Sequence, residues 1–172
     1  VAPCMLEAWA NGGGAGLYQR LMAQAEAAGI PIRALEPWDT LFSLFADLAP
    51  EDEIDLIRSA LAGADIADDM AVTMADAYFA GRGWEIWLLQ RQIAEDTGQQ
   101  SPSELAEQFA LTQEVLLTRR NRAWLGPMQE AAEAAARDGK AVLVAVGLLH
   151  LPGDAGVLAL LEAEGWRMKL VE

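Results

Sequence analysis

The chain is short of the side chains on which most reaction classes rely. Its 172 residues hold one cysteine, Cys4, and one histidine, His150. A single thiol forms no internal disulfide and completes no Cys-x-x-Cys pair, so the redox compartment stays open. Cys4 sits in the apolar start Val1–Trp9, where a buried structural thiol is expected. No His-Glu-x-x-His, Gly-x-Ser-x-Gly or phosphate-loop pattern occurs, which removes the usual sequence support for those hydrolases and nucleotide enzymes. Cations are scarce as well, with 12 Lys and Arg against 26 Asp and Glu and a net charge of -14. Nucleic-acid affinity comes chiefly from cations neutralising phosphates, so no nucleic-acid partner is expected. The acidity reads as solubility. No apolar run is long enough to span a bilayer, so no membrane insertion is expected. The start lacks a basic segment followed by an apolar one, so no signal peptide is read. Because the first residue is Val1, the chain is expected to be truncated at its N-terminus.

What is present is globular: 53% hydrophobic and 22% charged residues, enough for a single domain over residues 1–172 with a core of its own. Residues 1–9 read as a strand, Asn11–Gly14 as a turn, and Leu17, Leu21, Ala25 and Ala28 recur at helical spacing before Gly29. Pro31–Glu36 reads as a second strand. From about Trp38 to Asp138 the pattern is mostly helical: Leu41, Leu44, Phe45 and Leu48; Ile54, Ile57 and Leu61; Met70, Met74, Ala77 and Tyr78; Trp84, Trp87, Leu88 and Ile93. Ser101-Pro102-Ser103-Glu104 has the form of a capping box with proline at the first helical position. Leu105, Phe109, Thr112 and Leu116 then share a face, and Trp124, Met128, Ala131 and Ala135 continue to Gly139. The apolar, β-branched run Ala141–Leu149 reads as a buried strand, Ala155–Ala163 as a helix and Trp166–Val171 as a last strand. The expected fold is α/β: a small, mostly parallel sheet with a large helical insertion.

Two acid/base candidates end predicted strands, Glu36 and His150. In open α/β sheets ligands bind beyond the carboxyl ends of the strands, so both side chains are expected along one sheet edge. An imidazole and a carboxylate make half of a divalent-metal site, or a base with its orienting partner. The plainer readings are a satisfied or surface histidine and a carboxylate that caps the following segment. Arg119, Arg120 and Arg122 stand out against the acidic background. A guanidinium reads a carboxylate or phosphate through two parallel hydrogen bonds, whereas a solvated basic turn paired with nearby acids is the plainer alternative. Asn121 between them can cap a helix or bind a substrate amide. The six tryptophans and the Met70–Met74 stripe read first as core.

The segment Val144-Ala145-Val146-Gly147-Leu148-Leu149-His150-Leu151-Pro152-Gly153-Asp154-Ala155-Gly156-Val157-Leu158-Ala159-Leu160-Leu161, closed by Gly165-Trp166, resembles the end of the TraB/PrgY/GumN family, relatives of the Tiki proteases. Three further pieces agree in order: Ile32–Glu36 resembles the family's strand ending in Leu-Glu, Ala75–Gly81 its Tyr-x-x-Gly helix end, and Arg120–Trp124 its Arg-Asn segment. The resemblance implies a metal-dependent, peptidase-like hydrolase acting on a peptide or small-molecule substrate, in the periplasm or secreted. It assigns Gly147 and His150 to a Gly-x-x-His motif, His150 and Glu36 to a divalent metal ion, and Arg120 with Asn121 to a polar clamp. The family's first Gly-x-x-His has no counterpart, since His150 is the only histidine. The alternative implied by the wider superfamily is a haem-, metal- or peptide-binding protein without catalysis, with His150 as the axial ligand of a haem.

Overall fold

Helices account for nearly all the regular structure. The computed structural model describes residues 16–46, 66–97 and 101–171, with residues 49, 50, 54, 57 and 61. The predicted strand 1–9, the Cys4 thiol and the Asn11–Gly14 turn lie outside them. The chain divides into two units, Val1–Asp76 and Ala77–Glu172.

In the first unit α1 (Leu17–Ala27) and α2 (Thr40–Ala46) form where the apolar spacing predicts them, and α3 (Ala67–Phe79) begins here and runs across the unit boundary. Trp38 packs edge-on against Phe42, with ring centroids 6.1 Å apart. The methionine stripe is not core: Met74 is exposed.

The second unit holds α4 (Gly83–Thr97), α5 (Pro102–Gln113), α6 (Arg119–Arg137) and α7 (Val157–Ala163). The predicted capping box opens α5. Glu104 N–H donates to the Ser101 hydroxyl at 3.4 Å, and Ser101 N–H donates back to the Glu104 carboxylate at 2.9 Å. Between α5 and α6 the chain does not turn. Glu114–Thr118 form one wide π-helical turn, so helical backbone runs unbroken from Pro102 to Arg137. Pro127 lies inside α6. It has no N–H for the Ala123 carbonyl, and Gly126 before it brings no Cβ against the proline ring. α6 ends at Gly139, whose φ of 65° lets Lys140 N–H reach the Ala135 carbonyl at 2.8 Å and Gly139 N–H reach Ala136 at 3.0 Å, the paired closure that left-handed backbone permits. The core is aromatic and aliphatic. Trp84 stacks on Trp87, Trp87 meets Phe109 edge-on at 6.0 Å, and Leu105, Leu117, Trp124, Met128 and Val157 are buried.

The expected α/β fold is overturned, because among the described residues there is no strand and no sheet. Pro31–Glu36, residues 141–147 and Trp166–Val171 are non-helical, yet no ladder joins them to a neighbour. Leu143 is 76% exposed and Leu170 86%. A β-branched run favours extended backbone through its own side chains. A strand also needs a partner for its N–H and C=O groups, and no local pattern supplies one. The helices of the expected insertion are the fold of the described chain.

Candidate functional site

The site assembles where the loop after residue 147 crosses the π turn and the start of α6. Gly147 is extended, and its carbonyl accepts from the His150 N–H at 2.9 Å. Leu148–His150 therefore close a single 3-10 turn rather than continuing a strand. That turn carries the imidazole inward: His150 is 8% exposed. Its ring lies 4.5 Å from the Trp124 ring, tilted by 45°, and its Nδ1 is 2.6 Å from Asn121 Oδ1.

Asn121 is 2% exposed. Its Nδ2 donates to the Ala155 carbonyl at 2.8 Å and, at 3.4 Å, to the His150 carbonyl. One amide thus ties α6 to both ends of the loop 150–155. Buried polar groups cost several kcal/mol when unsatisfied, on the order of 1–3; among the described residues no buried side-chain N or O lacks a partner.

The three arginines separate. Arg119 and Arg122 are exposed and turn back to Glu114, at 3.3 and 4.0 Å, pairings that water screens. Arg120 lies against the buried face instead. Its Nη1 donates to the Leu116 carbonyl at 2.9 Å, and its Cζ stands 5.2 Å from the Trp124 ring centroid, within cation–π reach. Arg120, Trp124 and His150 thus form a column, with Asn121 beside the imidazole. The basic segment lies within continuous helix, where Arg119 and Arg122 are solvated and paired with an acid as the plainer reading has it, and Arg120 alone packs on the buried face.

Beside these residues lies a shallow indentation with room for about one water molecule, lined among others by Trp84, Gln113, Thr118, Asn121, Pro152 and Gly156. Two glycines allow the loop to approach. A Cβ on Gly83 would strike the Leu148 side chain, and one on Gly156 would strike the Leu151 and Pro152 carbonyl oxygens and come 2.6 Å from the Pro152 carbonyl carbon. Gly147 needs no such allowance, since a Cβ there meets only His150 Cδ2 at 3.5 Å.

Of the residues singled out in the sequence, the structure brings together Arg120, Asn121, His150 and the backbone of Gly147. Glu36 is half-buried in a bend of the first unit. The sheet edge expected to align it with His150 is not present among the described residues. No group of three or more His, Cys, Asp or Glu gathers there in a way that could hold a metal ion. No helix of the described chain is long and apolar enough to cross a membrane. Sequence reasoning missed Gly83 and Thr118, and quoted Gly156 only within the family-like segment without a role. A glycine at a helix start after Arg82 carries no signal beyond a generic turn.

The family model for TraB/PrgY/gumN matches residues 4–170. The chain belongs to that family. Neither the curated proteins nor the solved structures contain a significant match. The resemblance read from the segments around Glu36, Tyr78, Arg120 and His150 is thereby borne out over nearly the whole chain. Two of those segments, the TraB/PrgY/gumN Arg-Asn and Gly-x-x-His pieces, are the ones in contact here.

Proposed function

We propose that this TraB/PrgY/gumN chain contributes to a metal-dependent, peptidase-like hydrolase site outside the cytoplasm, with His150 as a ligand of a divalent ion. One observation supports the reading most: the single imidazole of the chain is buried and hydrogen-bonded through Nδ1 to the amide of Asn121. Metal-bound imidazoles commonly engage their second nitrogen in this way, which fixes ring orientation. His150 therefore fits one ligand position, although the described residues alone do not complete a ligand set. When bound, a divalent ion polarises a carbonyl and lowers the pKa of water.

The chain's own groups supply the rest. Asn121 and Trp124 hold the imidazole in one orientation. Arg120, anchored on the Leu116 carbonyl and the Trp124 face, keeps a permanent positive charge on the Trp124 ring, suited to developing negative charge or a substrate carboxylate.

The test compares the full-length protein with His150→Ala for bound divalent metal and for hydrolysis of a mixed peptide pool. Metal content is expected to fall at least tenfold in the variant, with hydrolysis falling in parallel. Unchanged metal content and hydrolysis in His150→Ala would overturn the proposal. So would a Soret band on adding haem that disappears in the same variant, which marks a haem-binding protein instead.

A further inference from the structure

The arrangement around Asn121 determines where the proton of the neutral His150 ring sits. The amide can face the ring with its oxygen or with its nitrogen, and its other contacts decide between them. Nδ2 faces two carbonyl oxygens, those of Ala155 at 2.8 Å and His150 at 3.4 Å. Both are pure acceptors. A flipped amide would set its oxygen 2.8 Å from the Ala155 oxygen with no hydrogen between them. The amide oxygen therefore faces the imidazole. At 2.6 Å an acceptor requires a donor opposite, so Nδ1 carries the hydrogen.

We infer that Asn121 is a positioning residue that holds His150 as the Nδ1–H tautomer and assigns the lone pair of the neutral ring to Nε2. A free neutral histidine side chain favours the opposite tautomer, so the protein inverts an intrinsic preference. The Ala155 and His150 carbonyls, from the backbone of the loop itself, enforce the inversion by orienting the amide. Asn121 is thereby committed to the ring and the loop rather than to a substrate amide. The use of Nε2 as a ligand rests on the metal reading above; the tautomer does not.

His150 is the only histidine, so a long-range 1H–15N correlation spectrum of the labelled whole chain contains one imidazole and needs no assignment. In metal-free protein at a pH where the ring is neutral, a pyrrole-like Nδ1 and a pyridine-like Nε2 are expected, with Nδ1–H the dominant form against the intrinsic preference of the free ring. A dominant Nε2–H form would overturn the assignment. Asn121→Leu, which removes the acceptor, is expected to shift the ring toward Nε2–H, and retention of Nδ1–H there would equally overturn it. If that variant does not fold, Asn121→Gln, which can present the same amide oxygen to the ring and the same N–H to the loop, is expected to keep Nδ1–H dominant; a dominant Nε2–H form in a folded Asn121→Gln would count against the assignment. Zinc added alone to the wild type separates the two readings. A change at Nε2 supports both, whereas an unperturbed ring refutes the metal reading and leaves the metal-free spectrum to decide the tautomer.

Discussion

Three glycines surround the imidazole in sequence or in space, and replacing each by alanine should give three different results. At Gly156 the backbone is ordinary, with φ -72° and ψ 153°, so the difficulty is space alone. The added methyl would press on the carbonyls of Leu151 and Pro152. Those atoms belong to a backbone turn closed by Gly156 N–H on the Gly153 carbonyl at 2.9 Å and cannot rotate away. Overpacking of this kind costs about 1–3 kcal/mol. Relief by moving the turn displaces the neighbouring Ala155 carbonyl, and losing its bond to Asn121 adds about 1 kcal/mol. Gly156→Ala should therefore destabilise by ~2–4 kcal/mol. At Gly83 the methyl meets the Leu148 side chain at Cγ as well as Cδ2, side-chain rather than backbone atoms, so relief takes a rotation about the Leu148 Cα–Cβ bond at about 1 kcal/mol. At Gly147 it finds ordinary contact distance and a φ of -60°. Gly147→Ala should be neutral, or stabilising by up to about 1 kcal/mol through a less flexible unfolded chain. Urea unfolding with unchanged m-values reads all three directly. A loss at Gly147 as large as that at Gly156 would refute the steric reasoning and imply that the motif glycine meets something else.

Other consequences can be measured on the same unit. Trp124 is buried and in contact with both Arg120 and His150, so Trp124→Ala should cost about 3–5 kcal/mol, seen as a lowered urea midpoint; a loss below about 1 kcal/mol would contradict its core role. The Ser101 hydroxyl and then its backbone N–H donate to Glu104 and hold that carboxyl below its ordinary pKa. A depressed folded-state pKa gives a contribution present above the unfolded value and lost as pH falls through the folded value. Circular dichroism should show acid fraying of α5 in the wild type and a flatter acid limb in Glu104→Gln; identical limbs would dismiss the cap as a source of pH dependence. Deleting Val115 should convert the π turn into ordinary α-helix and leave the chain folded, whereas deleting Gln108 from α5 should lower Tm sharply, because it rotates Leu105 away from the core by about 100°.

What the sequence made legible was local. Helix α5 could be read to the residue because Ser101, Pro102 and Glu104 are a self-contained cap, and the ends at Gly29, Gly81, Gly139 and Gly165 follow from one backbone preference that each glycine satisfies alone. The strands failed for the converse reason. Val142-Leu143-Val144 has the side chains of a strand, but the other half of a strand is a neighbour, and neighbours are not written into a local pattern. His150 was singled out as the only histidine at the end of a predicted strand, and again by its family motif; the strand is absent, but the residue is in the site. Its partners Trp124 and Asn121 lie 26 and 29 residues earlier, and only tertiary packing relates them to it.

One part of the site was nevertheless written in the sequence as a mismatch of phase. Leu105, Phe109, Thr112 and Leu116 mark one helical stripe, and continuing it by three and four residues turns Arg120, Ala123 and Pro127 inward. The second stripe, Trp124 with Met128, is one residue late. A single unbroken α-helix cannot bury both. Two solutions exist: a turn that ends one helix and starts another, or an extra residue absorbed within a continuous one. The cluster Arg119–Arg122 favours the first on polarity, yet no Gly or Pro stands between Ser103 and Leu125 to make such a turn. The π turn is the second solution, and such turns often mark functional positions. By taking up the extra residue at Glu114–Thr118 it makes Leu117, Asn121, Trp124 and Met128 the buried row. The amide of Asn121, rather than the guanidinium of Arg120, is then the group that meets His150 Nδ1. A guanidinium in that place could only donate and would force the opposite proton position on the ring, so the register of one helical turn selects the chemistry of the site.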